Sequence, residues 1–281
     1  MATKTPHWIF ADNLERSAQL DVVAGDLAYQ IDTGLVYSFD GSAWSVVGGG
    51  GGASIQKPDN TDECGLPIAR YLLESPNAQI DDGPNGLDLT GLVARNVRVL
   101  GQNGTYFIGA NGTPGLRTGV PEVAYVGAIS FRWLGTFEGK TQGGLVSTRQ
   151  YGIEANLDGN LFLRRSTNTT TGETPAVELG VGVPAVLTET VVTVGALDSG
   201  GVGNQTFAVY QNGAPISSGT FPNAVLRATN PDRLQIGGAG LIGSAAFEWQ
   251  GAMLYIEVFG NELDPADILA SYNRRLASAL G

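Results

Sequence analysis

Five consecutive glycines, Gly48 to Gly52, divide the chain into two unlike parts. Glycine loses the most conformational freedom on folding and offers no side chain to bury, so such a run is expected to form a random-coil tether. The polar stretch Lys57-Pro-Asp-Asn-Thr-Asp62 continues it. The expected organisation is therefore a small piece over residues 1–47, a linker over 48–62 and a large domain over 63–281.

The first piece reads as a β-meander. Leu27, Tyr29 and Ile31 alternate, Asp32-Thr-Gly34 turns, Leu35, Tyr37 and Phe39 alternate again, and Asp40-Gly41 leads into a third strand from Ala43 to Val47. Period-two apolar spacing separated by Asp/Gly turns is a hairpin signal. Three short strands bury little surface alone, so Tyr29, Tyr37, Phe39 and Trp44 are candidates for anchoring or oligomerisation.

Composition narrows the partners. The chain has 281 residues, with 16 Lys plus Arg against 27 Asp plus Glu, a formal charge of −11. That surface repels phosphate backbones, which argues against a nucleic-acid partner. Only 15% of residues are charged and 41 are glycine, a balance that fits a turn-rich β-protein. Cys64 is the sole cysteine, so no intrachain disulfide or thiolate metal cluster is expected, and His7 is the sole histidine. The N-terminus Met-Ala-Thr-Lys-Thr-Pro has no apolar signal core and no apolar run spans a bilayer, so the expectation is synthesis in a cytoplasm without membrane insertion.

Beyond the linker, strands are expected at 68–73, 97–100, 105–108, 124–134, 144–148, 151–157, 161–165, 187–197, 205–211, 233–236 and 251–259. Asp158-Gly159 and Asn212-Gly213 are hairpin turns, and Ile153, Leu157, Leu161 and Leu163 are candidate core residues. Many short strands with regular turns point to a mainly β, antiparallel sandwich. One helix ends the chain, with Asp264 as cap, Pro265 at its first position and Leu263 with Ile268 as a hydrophobic staple. Leu269, Tyr272, Leu276 and Leu280 form the stripe expected to face the core.

The order of these segments resembles the concanavalin A-like, laminin-G-type jelly roll. Leu66-Pro-Ile-Ala-Arg-Tyr-Leu-Leu73 followed by the Asp81–Gly91 loop looks like that family's opening strand and Asp/Gly loop. Ala128-Ile-Ser-Phe-Arg-Trp-Leu134, Thr206-Phe-Ala-Val-Tyr-Gln-Asn-Gly213, Leu234-Gln-Ile-Gly-Gly238 and Trp249–Phe259 resemble its later strands in the correct order. The resemblance implies two antiparallel sheets face to face, with members that bind glycans or proteins, some that hydrolyse glycans, and many that only pack. Separately, the meander Gly25–Trp44 resembles short meanders of bacteriophage fibre and virion proteins, which implies a phage virion part.

Candidate chemistry is sparse. A glycosidase needs two carboxylates spanning the scissile bond. The nearest acidic set, Glu262-Leu-Asp264-Pro-Ala-Asp267, sits at the helix start where capping explains it, and strand residue Glu257 has no acidic neighbour two positions away. Non-enzymatic behaviour is therefore expected. Calcium is the candidate metal, with Asp81, Asp82, Asn85 and Asp88 as oxygen ligands in a Gly-rich loop; an ordinary acidic turn with no cofactor is the competing and preferred reading. For a glycan, Tyr151 with Arg149 and Arg165 is the candidate rim site, while Trp133 and Trp249 lie in apolar strands and are expected in the core.

These readings combine into one expectation: a virion structural protein, a capsid decoration protein or a head or tail fibre. It would be a homo-oligomer, expected as a trimer, held to capsid or tail through its N-terminal piece and displaying a lectin-like domain toward host-surface glycans. The alternatives are a cellular or secreted glycan-binding module and, behind it, a glycoside hydrolase.

Overall fold

The computed structural model describes residues 8–10, 16, 21–24, 26–30, 35–49, 55–74, 78–79, 83, 86, 89–90, 94–99, 102–108, 116–118, 128–137, 143–147, 151–156, 160–165, 176–182, 187–197, 202–225, 234–239 and 247–280. The chain is mainly β, in antiparallel sheets with one long C-terminal helix.

The N-terminal meander forms as its alternation predicts. Strands Leu27–Gln30, Leu35–Phe39 and Trp44–Gly49 pair antiparallel in sequence order. Trp8–Phe10 adds a fourth strand, parallel to Leu27–Gln30, that the sequence reading left out. Asp40 fixes the second turn: its Oδ1 accepts from the Ser42 and Ala43 N–H groups at 2.7 and 2.8 Å. Those bonds hold its carboxyl below the usual range.

Two of the five glycines are not tether. Gly48 and Gly49 end the strand Trp44–Gly49, opposite Val36 and Leu35. The segment expected as further linker belongs instead to the large domain. Ile55 and Asp62 are each 6% exposed, and the Gln56 N–H donates to Arg275 O at 3.3 Å. Residues 55–62 thus pack against the large domain, because Lys57, Asp59 and Asp62, whose polarity suggested a loop, meet partners there.

The large domain is a sandwich of two sheets. One has at its centre the strands Ile129–Gly135 and Gln250–Phe259, with Thr188–Val194, Val202–Gln211 and Ala214–Val225 continuing outward from the first. The free flank of Gln250–Phe259 is shared: its first half pairs with Gln102–Ile108 and its second half with Ala69–Tyr71. The facing sheet is built around Gly143–Ser147, Tyr151–Ala155, Asn160–Arg165 and Ala176–Gly182. Alternate residues of both sheets, among them Phe131, Trp133, Ile256, Val258, Leu145, Ile153, Leu161 and Leu163, interdigitate in one buried core. Trp249 joins it fully buried, its Nε1 donating to Thr136 O at 2.9 Å.

Two long strands, Ala176–Gly182 and Ala214–Val225, were not expected. Both lie at sheet ends, where only one flank must be paired and the apolar pattern is weakest. Ala214–Val225 carries Pro215 and Pro222, residues tolerated at an edge because they donate no ladder bond. The Asn212-Gly213 turn before it has φ of +51° and +76°, the left-handed pair a two-residue hairpin requires.

The helix Pro265–Leu280 starts as read. Asp264 Oδ1 accepts from the Ala266 N–H at 2.7 Å, and Leu263 and Ile268 share one buried cluster. Its inward face is rotated from the predicted stripe. Leu269 is 46% exposed, while Ile268, Ser271 and Arg275 are buried and Tyr272 and Leu276 half-buried. The helix covers the outer face of the first sheet, and the centre of that contact is polar.

One position shows how closely the two central strands of the first sheet approach. Gly251 has φ +147°, and a Cβ there would lie 2.3 Å from Thr136 O. Gly251→Ala is expected to cost about 3 kcal/mol or to prevent folding, read as the shift of the denaturant midpoint.

Candidate functional site

The outer face of the first sheet carries a row of charges set by strand register. Arg132 lies directly opposite Glu257, which lies directly opposite Arg70 on the other side. Glu257 Oε1 accepts from Arg70 Nε at 2.7 Å and its Oε2 accepts from Arg132 Nε at 2.6 Å. Arg132 Nη2 is 2.5 Å from the same Oε2 as an ion pair without hydrogen-bond geometry. All three residues are fully buried.

The remaining donors are met from the covering layer. Arg70 Nη1 donates to Asn60 Oδ1 at 2.7 Å and its Nη2 to Asp59 O at 3.0 Å. Arg132 Nη1 donates to Ser271 Oγ at 2.7 Å and Asp62 Oδ1 at 3.1 Å, and approaches Cys64 Sγ at 3.4 Å. Ser271 Oγ in turn donates to Asp62 Oδ2 at 2.8 Å and accepts from Arg275 Nε at 3.3 Å. One pleat along the same face, Tyr255 and Arg275 both donate to Glu189 Oε2, and Arg275 Nη1 donates to Tyr255 Oη at 2.7 Å. Three guanidinium groups thus face three carboxylates, Asp62, Glu189 and Glu257, with almost no solvent.

This pairing sets the protonation states. Burial alone would raise the Asp62 carboxyl, but the Arg132 charge and hydrogen bond outweigh it and hold it at about 2. Burial also disfavours the charged form of Arg132, yet Glu257, Tyr255, Glu189 and Asp62 push it well above its ordinary value. Burial drives the Cys64 thiol up to about 12 and raises Tyr255 strongly. Cys64 is thus a small buried group and no nucleophile at neutral pH. Glu257, the strand carboxylate considered for glycoside hydrolysis, has both oxygens held by arginine and reaches no substrate. The centre's work is structural: it fastens the segment 55–64 and the helix to the sheet.

Tyr151 is not available to the predicted glycan rim. Tyr151 is fully buried and its Oη accepts from Gln205 Nε2 at 2.8 Å, so its ring is no surface platform. The reason is register: Tyr151, Ile153 and Ala155 share the inward face of their strand. The backbone of Arg165 lies opposite Tyr151, and Arg149 lies outside the described residues. Asp81, Asp82, Asn85 and Asp88 also lie outside them; among the described residues no group of three or more His, Cys, Asp or Glu is placed to hold a metal. In the small sheet, Tyr37 is buried with the Arg16 guanidinium 3.9 Å from its ring centroid. Phe39 and Trp44 are half-buried, their rings 5.2 Å apart. Tyr29 is placed by its backbone, opposite Ile9 and Val36.

The outward face of the second sheet carries what the sequence reading missed. Glu154, Phe162 and Glu178 lie directly opposite one another on three neighbouring strands, with Gly144 next to Glu154. Phe162 is half-buried and Glu178 exposed, while Glu154 is 5% exposed. The signal was available: Phe162 stands between Leu161 and Leu163, both assigned to the core, so alternation turns its ring outward. A partly open ring beside the exposed Glu178 offers apolar stacking next to a hydrogen-bond acceptor.

No protein-family model and no curated protein matches this sequence. Solved structures do. The binding domain of Paraclostridial Mosquitocidal Protein 1 is similar with a TM-score of 0.54 at 13% identity, over 76% of this chain and 53% of that one. The botulinum neurotoxin type G receptor binding domain follows at 0.51 and 9%, over 75% and 51%. The binding domain of botulinum neurotoxin DC in complex with SialylT gives 0.51 and 12%, over 76% and 52%. The fold is a jelly-roll-like β-sandwich. This chain spans about half the length of those chains, and at such identities the fold is what they share with it.

Two outcomes are expected from the ionic centre. Glu257→Gln leaves two buried guanidiniums short of a counter-charge and should cost about 3–5 kcal/mol in denaturant titration. Asp62 titrates lower in the folded state than its ordinary 3.8. Its stabilisation is therefore complete above pH ~4 and lost as pH falls through about 2, about 2 kcal/mol in all. Asp62→Asn should remove that part of the acid-side stability loss in pH-dependent melting.

Proposed function

We propose that this chain is a non-enzymatic virion protein of a bacteriophage, a decoration or fibre component that displays a lectin-like sandwich. The observation that carries the reading is the division of labour along the chain. A small four-stranded sheet with Tyr37, Phe39 and Trp44 precedes the glycine run, and a complete sandwich of the fold used by receptor binding domains follows it. A sheet of that size buries too little surface to be stable without a partner, which supports anchoring or self-association through residues 1–49. Capsid or tail proteins are the expected partners, and the virion the expected location.

A second reading, a free glycan-binding module, is favoured by one observation. A neurotoxin binding domain sharing the fold has been solved with SialylT. The Glu154, Phe162 and Glu178 row is the surface on which either reading places a sugar. The exposed Glu178 can accept hydroxyl hydrogen bonds and repels anionic sugars, so neutral or amino sugars suit the row better than sialylated ones. Hydrolysis is the weakest reading, because Glu257 is sealed between Arg70 and Arg132.

Light scattering of the full chain separates the first two readings. The virion reading expects three times the 29.2 kDa chain mass, lowered by Trp44→Ala; a monomer for the unaltered chain favours the free module. Binding of the full chain to arrays of neutral and amino glycans should fall at least tenfold in Phe162→Ala, and absence of any glycan binding would remove the lectin part of the proposal.

A further inference from the structure

The chain enters the sandwich at Ile55, directly after the glycine-rich stretch, and is fastened at once. Gln102 Nε2 donates to Ile55 O at 2.7 Å. The Gln56 N–H donates to Arg275 O and Arg275 Nη1 donates back to Gln56 O, both at 3.3 Å. Lys57 Nζ donates to Leu72 O at 2.7 Å and pairs with Glu74 at 3.1 Å. The segment then crosses the ionic centre, where Asp62 meets Arg132, Ser271, Arg274 and Arg275, and Glu63 meets Arg274 at 2.9 Å. It ends at Cys64, whose N–H donates to Asp62 Oδ1 at 3.0 Å.

The way this strap is held differs from everything after it. Residues 55–64 belong to no strand, whereas Ala69–Tyr71 is locked in the ladder with Ile256–Val258 and fully buried. Tension arriving from the N-terminal side loads the strap from one end, so its fastenings break one after another. The ladder that follows is held by backbone bonds to the central strand and by the apolar core. The groups the strap uncovers on leaving, Asp62, Arg132 and Arg275 among them, are ones water solvates well, so opening regains their hydration. The strap, held mainly by side-chain bonds rather than a ladder, is therefore the interface at the point of load.

We propose that residues 55–64 are a load-release latch: tension on the N-terminal sheet peels the strap off the C-terminal helix and the ionic centre, and lengthens the connection before the sandwich yields. Ten residues drawn straight extend it by up to ~35 Å. The inference does not depend on what the sandwich binds or on what the small sheet is mounted on.

Single-molecule force spectroscopy on the full chain tests it. One handle is attached at Gly52→Cys, which leaves the small sheet outside the load path, and the other at Thr220→Cys, an exposed position in the edge strand. The native Cys64 does not compete, being buried with its thiol pushed up to about 12. The expected record is a reversible lengthening of at most ~35 Å at low load, ahead of the main rupture. In Arg274→Met, which removes the pairs to Asp59, Asp62 and Glu63 of the strap, that step should open at least tenfold faster at a fixed load with the main rupture force unchanged. A second variant, Gln102→Ala, which removes only the tie to the Ile55 carbonyl among the strap's bonds, should speed opening about threefold. A single rupture of the unaltered chain with no early step overturns the proposal. So does an early step whose rate neither variant changes.

Discussion

The outer side of the first sheet depends on one carboxylate. Glu257 sits on the central strand between an arginine on each neighbouring strand, and register alone brings the three together. A guanidinium without water needs its donors met, and one carboxylate cannot meet two of them. The surplus donors of Arg70 and Arg132 therefore dictate what must cover the sheet: Asn60, Asp62 and the Asp59 carbonyl from the strap, Ser271 from the helix. Such bonds are directional where apolar packing is not. They fix where along the sheet the helix lies, with Ser271 Oγ as the point where sheet, strap and helix meet. Apolar clusters flank this centre on either side, around Leu254 and Tyr255 and around Phe259 and Ile268, and supply the burial that the charges do not.

Much of this was open to a reader of the sequence, and the misses share a physical cause. Alternation located the meander, most strands of the sandwich and its core, because burial on one face imposes a period of two. Asp264, Pro265 and the Leu263 and Ile268 pair announced the helix, because its unpaired N–H groups demand a cap. The helix face was misjudged because Ser271 and Arg275 point inward, and polarity in sequence reads as exposure until a partner is known. The same error assigned residues 55–62 to the linker. Asp62, Arg70, Arg132, Arg275 and Glu257 are far apart in the chain, and nothing local marks one as the complement of another. Tyr151 was taken for a rim residue because its neighbours Arg149 and Gln150 are polar. Its own strand parity, shared with Ile153, placed it inside.

The two faces of the sandwich carry different loads. The face under the helix is closed, charge-balanced and sealed, and everything reactive in it is spent on holding the cover. The opposite face keeps a half-open phenylalanine between glutamates, with a glycine beside them that adds no bulk. The first sheet is sealed by residues 55–64 and the C-terminal helix, whereas the described outward face of the second keeps Phe162 partly open. The strap at Gln56 and the helix at Arg275 lie against each other, and the thickness of the core separates them from Phe162.

The edge strand Ala214–Val225 bears on crowding. Its outer flank presents backbone groups that a neighbouring copy could pair with, and molecules packed side by side at high surface density meet such flanks constantly. Pro215 and Pro222 have no N–H to offer and interrupt that template at two points along the strand. With a net charge of −11 adding mutual repulsion, neighbouring copies are kept from fusing their sheets. The same chemistry that makes this edge hard to recognise in the sequence is what makes it a poor template for a further strand.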